Sequence, residues 1–447
     1  MNLGIWPVVA ILTVAAPVTG AAGLFNPTTF TLDNGMQVVV VENHRAPVVA
    51  HWVWYKVGTA DSPVGKSGLP HYLEHLMFKG TDKIPPGEFS KIVARLGGND
   101  NAMTSYDFTA YFQMIARDRL ETVMEMEADR MVNLRLAEED AITERDVILE
   151  ERRSRVDNEP SSLLGERLAA VQYLNHPYRL PVIGWFHEIQ SFTREDALAF
   201  YRTWYTPNNA VLVVVGDITA EELRPLAERT YGRIASRPVP PRNRLREPPQ
   251  ASERVVELRH ERVRQPSVSL SYLAPSYNTE GGERAYALEV LAELFGSGTT
   301  SRLYRSLVVD RGLAAGAGAF YRGSSLDQTT FRIYATPRPG VALEEVEAAL
   351  DEEIAKLRAG EISEEEVARV KKRMLAEATY ARDSLSGVAR IFGVALTTGQ
   401  TVEDVEAWPE RIAAVTVEDV RIAAREVLKP EHSVRGRLLP PVREASK

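Results

Sequence analysis

The sequence predicts an α+β fold of two homologous lobes, each a mixed β-sheet packed with helices. Three observations predict it. Each half of the 447-residue chain runs from β-branched strands into long helical patterns. A stretch at 236–252 with five Pro, four Arg and no apolar periodicity separates the halves. Both halves close on a Thr-capped helix followed by a proline and a strand. These observations indicate an internal duplication of a unit of roughly 200 residues.

The first half contains the following elements in order. Asn34-Gly35 is a strong turn signal and precedes a strand at 36–41. A second strand covers 46–57, and Pro70 is well placed to open a helix just after it. The remaining elements are a helix at 88–96, strand composition at 102–115, long helices at 117–135 and 138–157, a helix at 193–203 and a strand at 210–215.

The second half repeats this order. Its elements are strands near 254–260 and 267–273, a helix near 283–295, strands near 314–322 and 329–336, long helices at 341–358, 363–380 and 384–398, a helix at 417–428 and a strand at 433–439. Thr193 and Thr416 are good helix N-caps, and each is followed fourteen residues later by a proline, Pro207 or Pro430.

These elements divide the chain into a leader at 1–23, an N-terminal domain at 24–235, a linker at 236–252 and a homologous C-terminal domain at 253–447. The linker is expected to act as a hinge on which two lobes close around a chamber. Its arginines are expected to be solvated, because nothing in the local pattern gives them a partner.

Composition excludes several classes of function. The net charge is −8 and no basic block occurs, so a nucleic-acid partner is not expected. The absence of cysteine excludes disulfides, thiolate metal sites and cysteine nucleophiles. Any metal must therefore be held by His, Asp or Glu, and the chain contains only eight histidines.

Residues 1–23 are apolar and end in small residues, which is typical of a secretory signal peptide and predicts a periplasmic location. Their n-region carries no Lys or Arg. The alternatives are a membrane anchor and a buried first helix. Pro7, Pro17 and the shortness of the apolar run argue against both, so no stable membrane span is expected.

His71, Glu74 and His75 are the first candidates for chemistry. Positions i, i+3 and i+4 share one face of a helix, so the three side chains project together. Two imidazoles one turn apart can bind one zinc ion, and a carboxylate beside them can handle a proton of metal-bound water. The alternative is a pair of structural histidines on an amphipathic helix.

A catalytic zinc usually takes a third protein ligand, and the helix around 144–151 offers candidates. Glu144 and Glu151 are seven residues apart and so lie two turns apart on one face. Glu150 points about 100° away from that face. The alternative is a solvated acidic helix.

Several motifs resemble those of the pitrilysin/insulinase family of inverted zincins, whose signature is H-x-x-E-H. They are LDNGMQVVVVEN, GLPHYLEHLMFKGT, NAMTSYDFTAY, ERDVILEE, HPYRLPVIGW and WYTPNNAVLVVVGD. The resemblance extends from about residue 28 to residue 440. It is strongest to the short branch, which contains bacterial processing-type peptidases and the catalytic subunit of the mitochondrial processing peptidase.

The resemblance implies a zinc-dependent endopeptidase. It makes His71, His75 and Glu151 the zinc ligands and Glu74 the general base. Glu144 matches a carboxylate that orients a ligand and tunes its basicity.

The resemblance also implies that the strand beginning Asn101, Ala102, Met103 and Thr104 is an edge that binds extended substrate. Backbone pairing there would select unfolded peptides with little side-chain specificity. Asn101 would hydrogen-bond the peptide carbonyl near the scissile bond. The alternative is that this strand is paired on both sides within the core.

One stretch departs from the family pattern. Members that act alone or as homodimers carry an Arg and, seven residues later, a Tyr that hold substrate and the developing oxyanion. Those positions fall on Val308 and Ala315, which cannot donate to an oxyanion. The departure favours a heterodimer, in which a homologous partner lacking the zinc motif supplies the Arg/Tyr pair, over a homodimer.

Three other interpretations remain open. In the first, nearby Arg305, Arg311 or Tyr321 replaces the missing Arg/Tyr pair. In the second, the chain is a non-catalytic structural subunit of a larger assembly. In the third, it is a periplasmic metal-binding protein without catalysis, which would leave Glu74 without a role.

Overall fold

The structure is a computed structural model that describes residues 23–442. The predicted leader therefore lies outside the described residues, except for Gly23. The α+β fold is confirmed, with one mixed sheet in each half of the chain. No helix in the described range is both long and apolar enough to span a membrane.

The N-terminal sheet has six strands in the order β1-β2-β6-β3-β5-β4. They are β1 (Thr28–Thr31), β2 (Gln37–Glu42), β3 (Val48–Tyr55), β4 (Asn99–Thr104), β5 (Thr109–Ala116) and β6 (Ala210–Gly216). The helices of this half are α1 (Leu69–Leu76), α2 (Glu88–Arg95), α3 (Leu120–Asn133), α4 (Glu138–Arg152), α5 (Pro160–Gln172), α6 (Phe186–Ile189), α7 (Arg194–Trp204) and α8 (Ala220–Arg229).

The C-terminal sheet has five strands in the order β7-β11-β8-β10-β9. They are β7 (Arg254–Arg259), β8 (Ser267–Ala274), β9 (Ala314–Tyr321), β10 (Thr329–Pro337) and β11 (Ser433–Leu439). The helices are α9 (Ala285–Gly296), α10 (Arg302–Tyr304), α11 (Leu343–Arg358), α12 (Glu364–Ala381), α13 (Leu385–Thr397), α14 (Val402–Glu406), α15 (Trp408–Ala414) and α16 (Val417–Val427).

The two sheets share one topology. In the first sheet the last strand, β6, pairs in parallel with β2 and antiparallel with β3. In the second sheet the last strand, β11, pairs in the same way with β7 and β8. The next two strands form an antiparallel hairpin on the far side, β5-β4 or β10-β9, and the first sheet has one additional strand, β1, which pairs with β2. The helix before the closing strand begins with a capping box at Thr193 in one half and at Thr416 in the other. This correspondence confirms two homologous lobes.

The lobes exchange helices, which the sequence pattern does not predict. Helix α13 comes from the second half but packs its apolar face on β3 and β6 of the first sheet. The approach is so close that a Cβ on Gly393 would lie 1.9 Å from the Trp54 ring. Helix α5 comes from the first half and packs on β7 and β11 of the second sheet. Each lobe therefore completes the other.

The expectation that the linker arginines are solvated is wrong for Arg244, although Arg246 is exposed as expected. The guanidinium of Arg244 is 5% exposed and lies 2.9 Å from Asp61 and 3.0 Å from Asp327. It also pairs with Asp107. Asp61 and Asp107 belong to the first lobe and Asp327 to the second. The linker contains no helix or strand, but its ionic cluster is buried and joins the two lobes, so it is not the freely moving hinge that the sequence predicts.

A second buried charge supports the region around α1. The guanidinium of Arg130 on α3 is 4.9 Å from the Phe78 ring, 4.1 Å from the Phe89 ring and 4.5 Å from the Tyr111 ring. Its charge is balanced by Glu127, which is also buried. These cation–π contacts connect the end of α1 to α2 and β5.

Candidate metal centre

Helix α1 carries His71, Glu74 and His75 at the heart of the first lobe. It begins after Gly68, which has a φ of +83°. A Cβ at this position would lie 2.3 Å from the Ile183 carbonyl oxygen, so both the backbone conformation and the available space require glycine. Leu69, Leu73 and Leu76 bury one side of the helix in the core. The Tyr72 hydroxyl donates to the Ala141 carbonyl and holds α1 against α4.

The structure brings His71, His75 and Glu151 together. One ligand atom from each lies within 4.8 Å of the other two. A carboxylate oxygen of Glu151 is 3.3 Å from His75 Nε2 and 3.8 Å from His71 Nε2. Glu150, the neighbouring candidate, is instead 71% exposed and pairs with Arg153. The geometry therefore favours Glu151 over Glu150.

Glu144 orients His75. Its carboxylate is 2.8 Å from His75 Nδ1, so this nitrogen carries the proton that the carboxylate accepts and Nε2 faces Glu151. Burial by itself would lower the pKa of His75, but the hydrogen bonds to Glu144 and Glu151 outweigh it and raise the pKa to about 9. The same two carboxylates would favour any cation at this place, whether a proton or a metal ion.

His71 has a different environment. Burial and the charge of the neighbouring His75 together lower its pKa to about 4. The imidazole is thus neutral and able to offer a lone pair at ordinary pH. Its Nδ1 is buried and has no hydrogen-bond partner among the described residues.

Glu74 lies beside the three ligand candidates without belonging to the cluster. Burial raises its pKa to about 7 even though the Thr104 hydroxyl, which donates to its carboxylate, acts in the opposite direction. A carboxylate whose pKa lies near neutral pH can both accept and return a proton. The sequence predicts Thr104 as a backbone contact for substrate and does not reveal this side-chain bond.

Strand β4 forms the open edge of the first sheet. It pairs only with β5, so the other side of Asn101, Ala102, Met103 and Thr104 has no strand beside it. The predicted edge position is therefore where the structure places it, and the alternative of a strand paired on both sides is wrong. The Asn101 side chain accepts from the Ala102 backbone N–H at 2.8 Å and lies on the exposed side.

Two further charges contact the cluster and were not predicted. The ammonium of Lys79 lies 2.5 Å from Glu144, and the guanidinium of Arg155 lies 2.5 Å from Glu151. Arg155 sits in a π-helical turn at Arg153–Asp157 that continues α4. Spacing contains a signal for Arg155, which follows Glu151 by four residues, but not for Lys79, which lies beyond the end of α1 and pairs with Glu144 on α4.

The departure at 308 and 315 is visible in the structure. Val308 is buried in the second core, and Ala315 is exposed on β9, so neither brings a donor to a substrate. Two of the three proposed substitutes are engaged elsewhere. Arg311 pairs with Glu352 at 2.9 Å, and the Tyr321 hydroxyl donates to the Pro275 carbonyl.

Comparison with known proteins identifies the family. Residues 37–184 match the family model described as Insulinase (Peptidase family M16), and residues 191–374 match the one described as Peptidase M16 inactive domain. The zinc protease PqqE of Helicobacter pylori is 32% identical over 436 residues, which cover 97% of this chain and 97% of that protein. The chain belongs to peptidase family M16. The resemblance to the pitrilysin/insulinase family is thus confirmed, and relatives of this M16 chain are named zinc proteases.

Other matches agree with this assignment. An uncharacterized zinc protease of Mycobacterium leprae is 29% identical, with 90% of this chain and 89% of the relative covered. The crystal structure of a protease from Helicobacter pylori has a TM-score of 0.87 at 32% identity and covers 93% of this chain and 100% of that chain. The first half of the periplasmic protease PqqL from Escherichia coli has a TM-score of 0.77 at 20% identity, covers 92% of each chain, and shares the fold.

Proposed function

We propose that this M16 chain is a zinc-dependent endopeptidase for extended or unfolded peptides and acts as the zinc-bearing subunit of a heterodimer. One observation carries the proposal. Two imidazoles and a carboxylate converge within 4.8 Å, and Glu74, whose pKa is near neutral, stands beside them next to an open sheet edge.

The donor set fits zinc. Two ligand atoms about 2.1 Å from a tetrahedral zinc lie about 3.4 Å apart. The separations of 3.3 and 3.8 Å from Glu151 to His75 and His71 are close to this value. Nitrogen and carboxylate donors suit zinc, and three protein ligands leave one position open. When bound, zinc supplies a Lewis acid that polarises the peptide carbonyl and acidifies water.

Glu74 is proposed to carry the proton. Its carboxylate accepts the proton of the attacking water and then returns it to the leaving amine. Thr104 holds the carboxylate in place through its hydroxyl. Glu144 fixes the His75 ring so that Nε2 faces the ligand cluster, and Lys79 and Arg155 balance the charge of the two carboxylates that surround it.

Strand β4 is proposed to bind the substrate backbone. An extended peptide can add to its open edge, since the N–H and C=O groups on that side have no neighbouring strand. A folded protein cannot present such a segment, so the edge selects unfolded chains. Asn101 lies on this edge, where its side chain can reach the peptide backbone.

The partner is proposed from what the second lobe lacks. Val308 and Ala315 offer no hydrogen-bond donor, and Arg311 and Tyr321 are committed to other groups. A developing oxyanion is stabilised by donors that are already in place. A homologous chain without the zinc motif would bring an Arg and a Tyr to complete the centre.

Glu74→Gln tests the catalytic role. The amide keeps the size of the side chain but cannot accept the proton, so zinc should remain bound while cleavage of an unfolded protein falls at least about a hundredfold. The matched control is Glu150→Gln, which makes the same change at an exposed position and should keep full activity. Turnover of Glu74→Gln at the wild-type rate would refute the assignment.

Reconstitution tests the heterodimer. The isolated chain should cleave weakly or not at all, and addition of a homologue that carries the Arg/Tyr pair should restore activity. Full activity of the isolated chain would contradict the proposed heterodimer but not the proposed peptidase activity. The alternative, a non-catalytic structural subunit, predicts no zinc and no activity with any partner. The fold of the chain does not distinguish a peptidase from a structural subunit, since a chain of complex III2 from Candida albicans has the same fold at 16% identity.

The location is proposed from residues 1–23. We expect a cleaved signal peptide and a periplasmic mature protein, and the Escherichia coli protein of the same fold is described as periplasmic. The domain limits at 24–235 and 253–447 remain predictions. N-terminal sequencing of the protein recovered from the periplasmic fraction checks the location, and an intact Met1 in the cytoplasmic fraction would contradict it.

A further inference from the structure

A cavity of about 990 Å³ lies between the lobes, apart from the metal centre. One wall is the turn Ser105–Phe108, which directly follows β4. Thr104, the residue before this turn, bonds Glu74. Other lining residues come from α9, β9, β10, α12 and α13. The cavity therefore adjoins the end of β4 at Thr104.

The carboxylates that line the cavity already have partners. Asp107 pairs with Arg244, Glu293 with Arg373 and Asp404 with Arg411. The two others are also engaged, since Glu289 accepts from the Tyr277 hydroxyl and from Trp408 Nε1, and Glu377 lies 3.8 Å from Arg373. Four of these five carboxylates therefore lie beside a guanidinium, and burial raises the pKa of Glu289, which favours its uncharged form.

The arginines of the cavity are in the opposite situation. Arg322, Arg332 and Arg390 line it, and none has a carboxylate within ion-pair distance among residues 23–442. The chain as a whole carries a net charge of −8, so this unmatched positive charge is a local feature. A cationic pocket in an acidic protein attracts anionic ligands in preference to cationic ones.

Arg332 differs from Arg322 and Arg390, which are exposed. It is half-buried, its Nε donates to the Thr330 hydroxyl at 3.1 Å, and its guanidinium stands 5.9 Å from the Phe320 ring. Tyr106, in the turn after β4, lines the same cavity as Arg332. A half-buried guanidinium without a counter-charge is costly, and a carboxylate of the substrate would remove that cost.

We propose that this cavity binds acidic side chains of the substrate on the N-terminal side of the scissile bond, with Arg332 as the principal contact. The side follows from strand direction. β4 runs from Asn99 to Thr104, so a peptide added antiparallel has its N-terminal part beyond Thr104. The inference rests on the proposed function for its direction and gives it a substrate class.

Calorimetric titration of two synthetic peptides tests the inference. They are identical except that glutamates in the N-terminal half of one are lysines in the other. The protein is the zinc-loaded Glu74→Gln variant of the full chain, which does not cleave them. The acidic peptide should bind about tenfold or more tightly than the basic one, because a charge-assisted hydrogen bond is gained. Arg332→Glu should remove or reverse this preference.

The matched control is Arg369→Glu, which makes the same charge change on an exposed face of α12 outside the cavity and should keep the preference. Equal affinity for the two peptides, or a preference that persists in Arg332→Glu, would overturn the inference. A third peptide with its glutamates in the C-terminal half should bind no better than the basic one. Because binding does not require turnover, failure of the wild-type chain to cleave any peptide would contradict the proposed function and leave this result intact.

Discussion

Glu144→Gln offers the sharpest test of how the metal centre is organised. The Glu144 carboxylate lies 2.8 Å from His75 Nδ1 and 2.5 Å from Lys79 Nζ, and its side chain is 10% exposed. The substitution keeps an oxygen that can accept from His75, so the ring need not turn. It removes the negative charge that makes the imidazole a better donor and leaves the Lys79 ammonium unbalanced. Zinc affinity should fall about 10- to 100-fold.

The assay is competition for zinc with a chromophoric chelator of known affinity at fixed pH. Glu150→Gln is the control, since it makes the same change in charge one residue away from Glu151 and should bind zinc as the wild type does. Adding Lys79→Met to Glu144→Gln should recover part of the affinity, because it removes the unbalanced cation. An affinity within about threefold of wild type for Glu144→Gln would refute this reasoning.

Three further predictions concern stability. Arg244→Met should lower the free energy of unfolding, measured in urea, by about 3 kcal/mol, because it leaves Asp61 and Asp107 buried without their guanidinium partner. The control, Arg246→Met, changes an exposed arginine of the same linker and should alter this free energy by less than about 0.5 kcal/mol. Burial raises the pKa of Glu289 above 4.5, so stability should fall as pH rises from that value through the raised pKa; Glu289→Gln should flatten this part of the profile, and an unchanged slope would contradict it. Free zinc at about 100 times its Kd should stabilise the chain by about 2.7 kcal/mol, and His71→Ala should abolish the effect, as thermal unfolding with and without chelator will show.

Local spacing explains why much of the metal centre is predictable. His71, Glu74 and His75 share a helical face whatever surrounds the helix, and seven residues separate Glu144 from Glu151 on another. The sheets are predictable for a similar reason, because β-branched runs and turn signals are local. The strand composition at 102–115 nevertheless proves to be two strands, β4 and β5, with a turn at Ser105–Phe108.

Contacts between distant parts of the chain explain what sequence reasoning missed. Arg244 pairs with Asp61, which is 183 residues away in sequence, and no pattern within the linker predicts that partner. Helix α5 packs on the second sheet rather than on its own lobe, and its sequence does not show which sheet it covers. The bond from Thr104 to Glu74 likewise depends on how β4 approaches α1, which only the folded chain reveals.

Anomalous diffraction at the zinc absorption edge, from crystals of the zinc-loaded Glu74→Gln variant, shows which residues bind the metal. We expect one strong peak within about 2.3 Å of His71 Nε2, His75 Nε2 and a carboxylate oxygen of Glu151, with Glu144 on His75 Nδ1. No peak at this position in zinc-saturated crystals, or a zinc ion held by Glu150 in place of Glu151, would contradict this expectation.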